Sequence, residues 1–139
     1  MRLTTLAGAL AALALTAADV AAQTATKFDL VCSGTRQNGV DAAPEPHDYR
    51  IRVDLDARRW CWDSCERTFE IAEVAPDRIV FESQTTDTPR KRSMSENSVS
   101  RQTGEHRLIW IESRPFPTYT ETKGACEASA FTAFPAARF

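Results

Sequence analysis

From Phe28 onward, hydrophobic and polar residues alternate with a period of two. Phe28, Leu30 and Cys32 alternate with Asp29, Val31 and Ser33, which predicts a first strand ending at Gly34. Tyr49, Ile51, Val53 and Leu55 alternate with Arg50, Arg52, Asp54 and Asp56, the pattern of a strand with one face in a core and one in water. Arg58–Trp62 and Thr68–Val74 read as the arms of a hairpin bent at Asp63-Ser64. Arg78–Ser83 follows, with Ile79 and Phe81 inward after an Ala75-Pro76-Asp77 turn. Asn97–Arg101 and His106–Glu112 form a further hairpin around Gly104, and Thr118–Lys123 and Ala125–Phe131 a last one around Gly124. No window of a dozen residues carries a capped stripe of helical period.

Between these strands the chain carries breakers. Asn38-Gly39 is a strong turn dipeptide. Asp41–Asp48 holds Pro44 and Pro46 among acidic residues and is expected to be a loop. Gln84–Glu96 is polar throughout, contains Pro89-Arg90-Lys91-Arg92, and is also expected to be a loop with a solvated basic cluster. About eight short strands at intervals of about ten residues give an all-β fold, a small antiparallel meander barrel or sandwich.

The first 22 residues follow a different pattern. Met1-Arg2 is a short basic start, Leu3–Leu15 an Ala/Leu-rich run, and Val20-Ala21-Ala22 offers small residues for signal peptidase. This predicts an export signal over 1–22, cleaved after Ala22, followed by a single β domain over 23–139 in the periplasm or medium. The apolar run is shorter than the roughly 20 residues a membrane-spanning helix needs, and the predicted strands are too short for a lipid-spanning barrel. An integral membrane protein is therefore not expected. Setting the segment aside lowers the hydrophobic share from 42% to about 36%, lean for a globular domain. The formal net charge of −2, with both signs interspersed, gives no basis for attraction to nucleic acid.

The four cysteines, Cys32, Cys61, Cys65 and Cys126, all follow the export segment, and an even count in an oxidising compartment points to two disulfides. Of three possible pairings, Cys61–Cys65 across a tight bend with Cys32–Cys126 between the first and last strands is favoured, because a closing meander sets those strands side by side. A zinc site built from Cys61, Cys65, His47 and His106 matches no finger or ribbon spacing. Neither a metal nor a cofactor is expected.

The aromatic residues are the main candidates for a binding site. Trp60 and Trp62 share one strand face, and with Tyr49 and Trp110 they either anchor the core or line a ligand mouth. Leu108-Ile109-Trp110-Ile111 is apolar on both faces, as in a central strand or one with an outer contact face. His47 beside Asp48 and His106 beside Glu105 have no Ser or Cys nucleophile in a recognisable motif, and Gly-x-Ser-x-Gly, His-Glu-x-x-His and phosphate-loop patterns are all missing. No catalytic residue is assigned.

Phe28-x-Leu-x-Cys32-x-Gly34, the Arg101-x-Thr-Gly104 hairpin and Gly124-x-Cys126 before a Phe-x-x-Phe-Pro ending resemble a pattern found in small exported bacterial proteins of uncharacterised function. The resemblance implies a compact β domain with a terminal disulfide. A fainter similarity is to the small periplasmic barrels that inhibit lysozyme, which also start with a Cys-bearing strand; their Ser-Ala-Ser-Gly-type loop is missing here. The leading expectation is a non-enzymatic binding module of the cell envelope, for a small apolar ligand or an envelope protein. One alternative is an inhibitor of an envelope-targeting hydrolase, lysozyme or protease, presenting Asp41–Asp48 or Gln84–Glu96. The other is an enzyme using His47 or His106 with nearby carboxylates.

Overall fold

The computed structural model describes residues 25–114 and 116–136, so the expected export segment over 1–22 lies outside the described residues. Nine strands form: β1 (Lys27–Asn38), β2 (Glu45–Asp54), β3 (Arg59–Trp62), β4 (Phe69–Glu70), β5 (Glu73–Val74), β6 (Arg78–Asp87), β7 (Arg92–Ser100), β8 (Glu105–Arg114) and β9 (Thr118–Ser129). They make one antiparallel sheet in the order β4-β3-β2-β1-β9-β8-β7-β6-β5. Among the described residues there is no helix, and none is long and apolar enough to cross a membrane.

The two edge strands of this sheet, β4 and β5, are consecutive in the chain and separated only by Ile71-Ala72. Three Cα steps of about 3.8 Å hold Glu70 and Glu73 within roughly 11 Å of each other, so the sheet must curl until its edges meet there. The result is a curled half-barrel. Ile71, 1% exposed, plugs the junction, and its N–H donates to the Arg58 carbonyl at 2.9 Å. The concave face holds the core, with Leu30, Tyr49, Ile51, Val53, Trp60, Ile79, Phe81 and Val99 clustered around the Cys32–Cys126 pair.

First and last strands lie side by side, from Asp29 opposite Ser129 to Asn38 opposite Thr120. Cys32 is directly opposite Cys126 and bonded to it, and Cys61 is bonded to Cys65. Two disulfides mark a domain that folds in an oxidising compartment. Two residues along the same seam Gly34 faces Gly124. A Cβ at Gly34 would run into the Lys123 carbonyl, and one at Gly124 would sit 2.5 Å from the Tyr49 hydroxyl. The residues after β9 cross the outer face: Thr132 N–H donates to Asp29 Oδ1 at 3.1 Å, and Arg52 donates to the Ala133 carbonyl at 3.2 Å.

Five expectations need correction. The first strand does not end at Gly34 but runs on to Asn38, its backbone paired with β9 beyond the reach of the core. Glu45–Asp48 is strand, not loop, and Pro46 pairs with Thr35. β3 covers only Ile51–Asp54 of β2, so at Pro46 β2 is an edge strand, where a missing N–H is tolerated. Most of Gln84–Glu96 is also strand, paired through Gln84–Ser95, Thr85–Met94 and Thr86–Ser93, with the turn held by Lys91 N–H on Thr88 Oγ1 at 2.9 Å. Backbone pairing there runs past the end of the core, so no apolar alternation marks it. Gly124 sits inside one unbroken β9, paired to Gly34 on one side and His106 on the other, and makes no turn. Thr68–Val74, expected as one arm, splits into β4 and β5 and serves both edges.

In the chain-entropy model a 94-residue separation corresponds to about 5 kcal/mol and a four-residue one to about 2. Replacing both Cys32 and Cys126 by Ser should therefore lower the denaturant midpoint far more than replacing Cys61 and Cys65. Equal losses in the two double variants would show that the seam does not depend on its bridge.

Candidate functional site

The half-barrel is not sealed along its whole height. β4 covers only Arg59 and Trp60 of β3, so the edge at Cys61 and Trp62 has no strand partner; β5 covers only Ile79 and Val80 of β6, so the opposite edge is open from Phe81 onward. Between these edges is a cleft of about 340 Å³. One wall is β3 and the bend after it. The period of two turns both Trp60 and Trp62 to the concave side, ring centroids 5.2 Å apart and edge to face. Cys65, with a positive φ of 54°, donates its N–H to the Trp62 carbonyl at 2.7 Å, and the Cys61–Cys65 bond folds residues 63–68 back along the mouth. Asp63 ties this bend to β2, accepting from Arg50 N–H at 2.6 Å and from the Arg52 guanidinium at 2.9 Å. Arg67 lies over the Phe69 ring at 4.7 Å, a cation on an aromatic face.

The other wall comes from β6, β7 and β8. A β-bulge between Val80 and Glu82 inserts Phe81, so that Phe81 and Glu82 both turn inward; a bulge re-aims side chains in this way. Glu82 pairs with Asn97 across the strands and accepts a hydrogen bond from Ser95 Oγ at 2.8 Å. Leu108 and Trp110 complete this wall.

Beneath the cleft runs a buried polar chain. The His106 Nε2 lies 2.8 Å from Asn97 Oδ1, which can only accept, so Nε2 carries the proton and Nδ1 accepts from the Tyr49 hydroxyl at 2.7 Å. Burial pushes the His106 imidazole down to about 4 and the Tyr49 phenol up to about 12, so both are neutral across the physiological range. Gly124 leaves the room that the Tyr49 hydroxyl occupies. Two donors of the cleft-lining residues, Trp60 Nε1 and Asn97 Nδ2, are buried without a hydrogen-bond partner.

Of the sequence candidates, Trp60 is core at 2% exposure, Trp62 is half-buried on the cleft, and Trp110 is 43% exposed on the opposite wall. Tyr49 is buried behind Trp62, with ring centroids at 6.1 Å. His47 stacks on Tyr49 at 5.2 Å, and His106 meets Tyr49 at the same centroid distance from β8. The structure thus brings both histidines to one tyrosine rather than to a nucleophile, and both His106 nitrogens are engaged. Among the described residues no group of three or more His, Cys, Asp or Glu is placed to hold a metal ion. Sequence reasoning missed Glu82, Asn97 and Arg67. Glu82 was hidden because strict alternation puts it outward next to Phe81.

Two larger hollows exist. One of about 740 Å³ is a groove lined by Ser33, Thr35, Arg107 and Lys123 among others, and one of about 630 Å³ lies under the 100–104 turn against Phe28, Leu30 and Ile79. Neither includes an unpartnered buried polar group, and the smaller cleft includes two. No family model, curated protein or solved structure matches this chain.

The His106 geometry has a pH signature. Its folded value lies below the unfolded 6.5, so the unfolded chain binds the extra proton first. Its contribution to stability is complete above pH 6.5 and is lost as pH falls from there towards 4, on the order of 3 kcal/mol. Imidazole NMR resonances should keep the neutral Nε2–H form at pH 5.5; a protonated ring at that pH would mean the Tyr49–His106–Asn97 chain is not formed. Gly124→Ala should break the same chain and cost about 1–3 kcal/mol in urea unfolding, and an unchanged midpoint would contradict the close approach to Tyr49.

Proposed function

We propose that the protein is an exported, non-enzymatic binding module of the cell envelope, and that it takes a small, largely apolar ligand into the cleft between β3 and β6–β8. The observation that carries this reading is the state of Trp62 and Trp110. A chain with a lean core leaves these two large rings partly uncovered on the concave side, facing one hollow walled by Trp60, Phe69 and Leu108. Uncovered apolar surface of this size on an inner wall forgoes the gain from burial, about 25 cal/mol per Å², and a ligand restores it. The mouth stays open because the β3 edge beyond Trp60 has no strand to pair with.

Two further observations support binding over histidine chemistry. His106 spends both ring nitrogens on Tyr49 and Asn97, which suits a rigid floor and leaves no nitrogen to take a substrate proton. The export half of the proposal rests on the basic-then-apolar pattern of residues 1–22 and on the two disulfides.

The protein purified natively from its own compartment should release a small molecule on denaturation, detectable by mass spectrometry. That molecule should change the tryptophan emission of the ligand-free protein, and Trp110→Ala should weaken its binding about tenfold, as expected for an aromatic anchor. Native protein that releases nothing, together with tryptophan emission indifferent to the small-molecule extract of that compartment, would rule the reading out.

A further inference from the structure

The hydrogen-bonding groups of the cleft specify more than an apolar ligand, and this inference rests on the binding reading above. Trp60 Nε1 and Asn97 Nδ2 are donors without partners, on residues only 2% and 1% exposed that line the cleft. The Asn97 oxygen lies 2.8 Å from His106 Nε2, and with the amide in this orientation the amino branch is left without a partner. Each buried donor without an acceptor costs about 1–3 kcal/mol. The two come from facing walls of the cleft, Trp60 from β3 and Asn97 from β7, and together mark a place for an acceptor oxygen between them.

Glu82 adds the complementary group. The bulge turns it to the same hollow, where one oxygen takes the Ser95 hydroxyl and the carboxylate retains further lone pairs. Glu82 and Asn97 are directly opposite one another on neighbouring strands, a placement that sets Cβ atoms about 5 Å apart. A ligand that satisfies both must therefore present an acceptor and a donor side by side on one edge. A carboxylate has no donor and would meet the like charge of Glu82. A trans secondary amide points its oxygen and its N–H in opposite directions. A primary carboxamide or a lactam has both on the same edge and carries no charge.

We propose that the cleft recognises a planar ring bearing a primary carboxamide or a lactam edge, the carbonyl oxygen taken by Asn97 Nδ2 and Trp60 Nε1 and the N–H by Glu82, with the ring body against Trp62 and Trp110. Both donor atoms are buried in the ligand-free chain, so a neighbouring side chain must move for a ligand to reach them. Trp62, half-buried and edge-on to Trp60, is the partly uncovered neighbour of the Trp60 ring in the β3 wall.

Four ring probes test this: benzamide for the carboxamide, 2-quinolone for the lactam, N-methylbenzamide for the trans amide and benzoate for the anion. Benzamide or 2-quinolone, whichever source the site favours, should bind at least about tenfold more tightly than the other two and move the Trp60 indole N–H resonance downfield. Glu82→Gln should narrow the gap between benzamide and benzoate about tenfold by removing the repulsion. N-methylbenzamide or benzoate binding as well as benzamide would overturn the assignment, as would an unmoved Trp60 resonance or no binding of any probe. A native ligand recovered in that last case would leave the binding reading standing, and its absence would remove both.

Discussion

The pairing of β1 with β9 is the constraint on which the rest of the structure depends. It joins segments about a hundred residues apart, the longest loop closure in the fold, and closing such a loop is entropically costly before any contact forms. The Cys32–Cys126 bond removes most of that cost by limiting the unfolded chain. With the seam in place, β2 and β3 extend from one side and β8, β7 and β6 from the other, and the short Ile71-Ala72 link forces the two wings to curl toward each other. The core, the polar floor and the cleft are all products of that curl, because each is built from residues contributed by both wings.

The Tyr49–His106–Asn97 chain shows how the seam is used. Tyr49 comes from β2 on one wing, His106 and Asn97 from β8 and β7 on the other, and the hydroxyl crosses the seam over Gly124. A side chain at 124 would block the crossing. Three polar groups buried this deeply would be destabilising alone; joined end to end they orient each other, and only the Asn97 amino group is left without a partner inside the protein. With the Asn97 oxygen facing His106 Nε2, the chain runs from Tyr49 through His106 to Asn97, since an amide oxygen cannot donate. A floor of this kind cannot slide in register without breaking its hydrogen bonds, which gives a lean core a precision that apolar packing alone would not supply.

How much of this was legible in the sequence follows from what alternation encodes. Tyr49, Ile51 and Val53 on one face, Cys32 against Cys126, and the Cys61-x-x-x-Cys65 bend all follow from a period of two and from reach, and each is found where that logic puts it. Alternation reports burial, so it says nothing where a strand runs beyond the core: the outer reach of β6 and β7 has hydrogen-bonded backbone and exposed side chains and reads as loop. It also fails where backbone geometry departs from the ideal pleat. Glu82 lies inward only because Phe81 is an inserted residue, and no local composition announces the insertion. Pro46 and Gly124 misled for the opposite reason: their intrinsic preferences for loop and turn are overridden by the edge position of one and the close backbone approach of the other.

The location of the cleft follows from the same geometry as its chemistry. A sheet of this curl has two free edges, and exposed edges invite pairing with another chain. Along the lower part β4 and β5 cover them. Along the upper part the β3 edge is flanked by the disulfide-held bend of residues 63–68, which brings Glu66 and Arg67 to the rim. A covered edge would have completed the barrel and filled it with side chains, as narrow barrels are filled. A flanked but unpaired edge keeps the aromatic wall accessible to something smaller than a strand. The bulge at Phe81 acts on the facing edge by turning a carboxylate into the gap. The cleft of this fold thus lies where strand pairing is interrupted on both sides, and it is the interruption on the β6 side that places Glu82 in it.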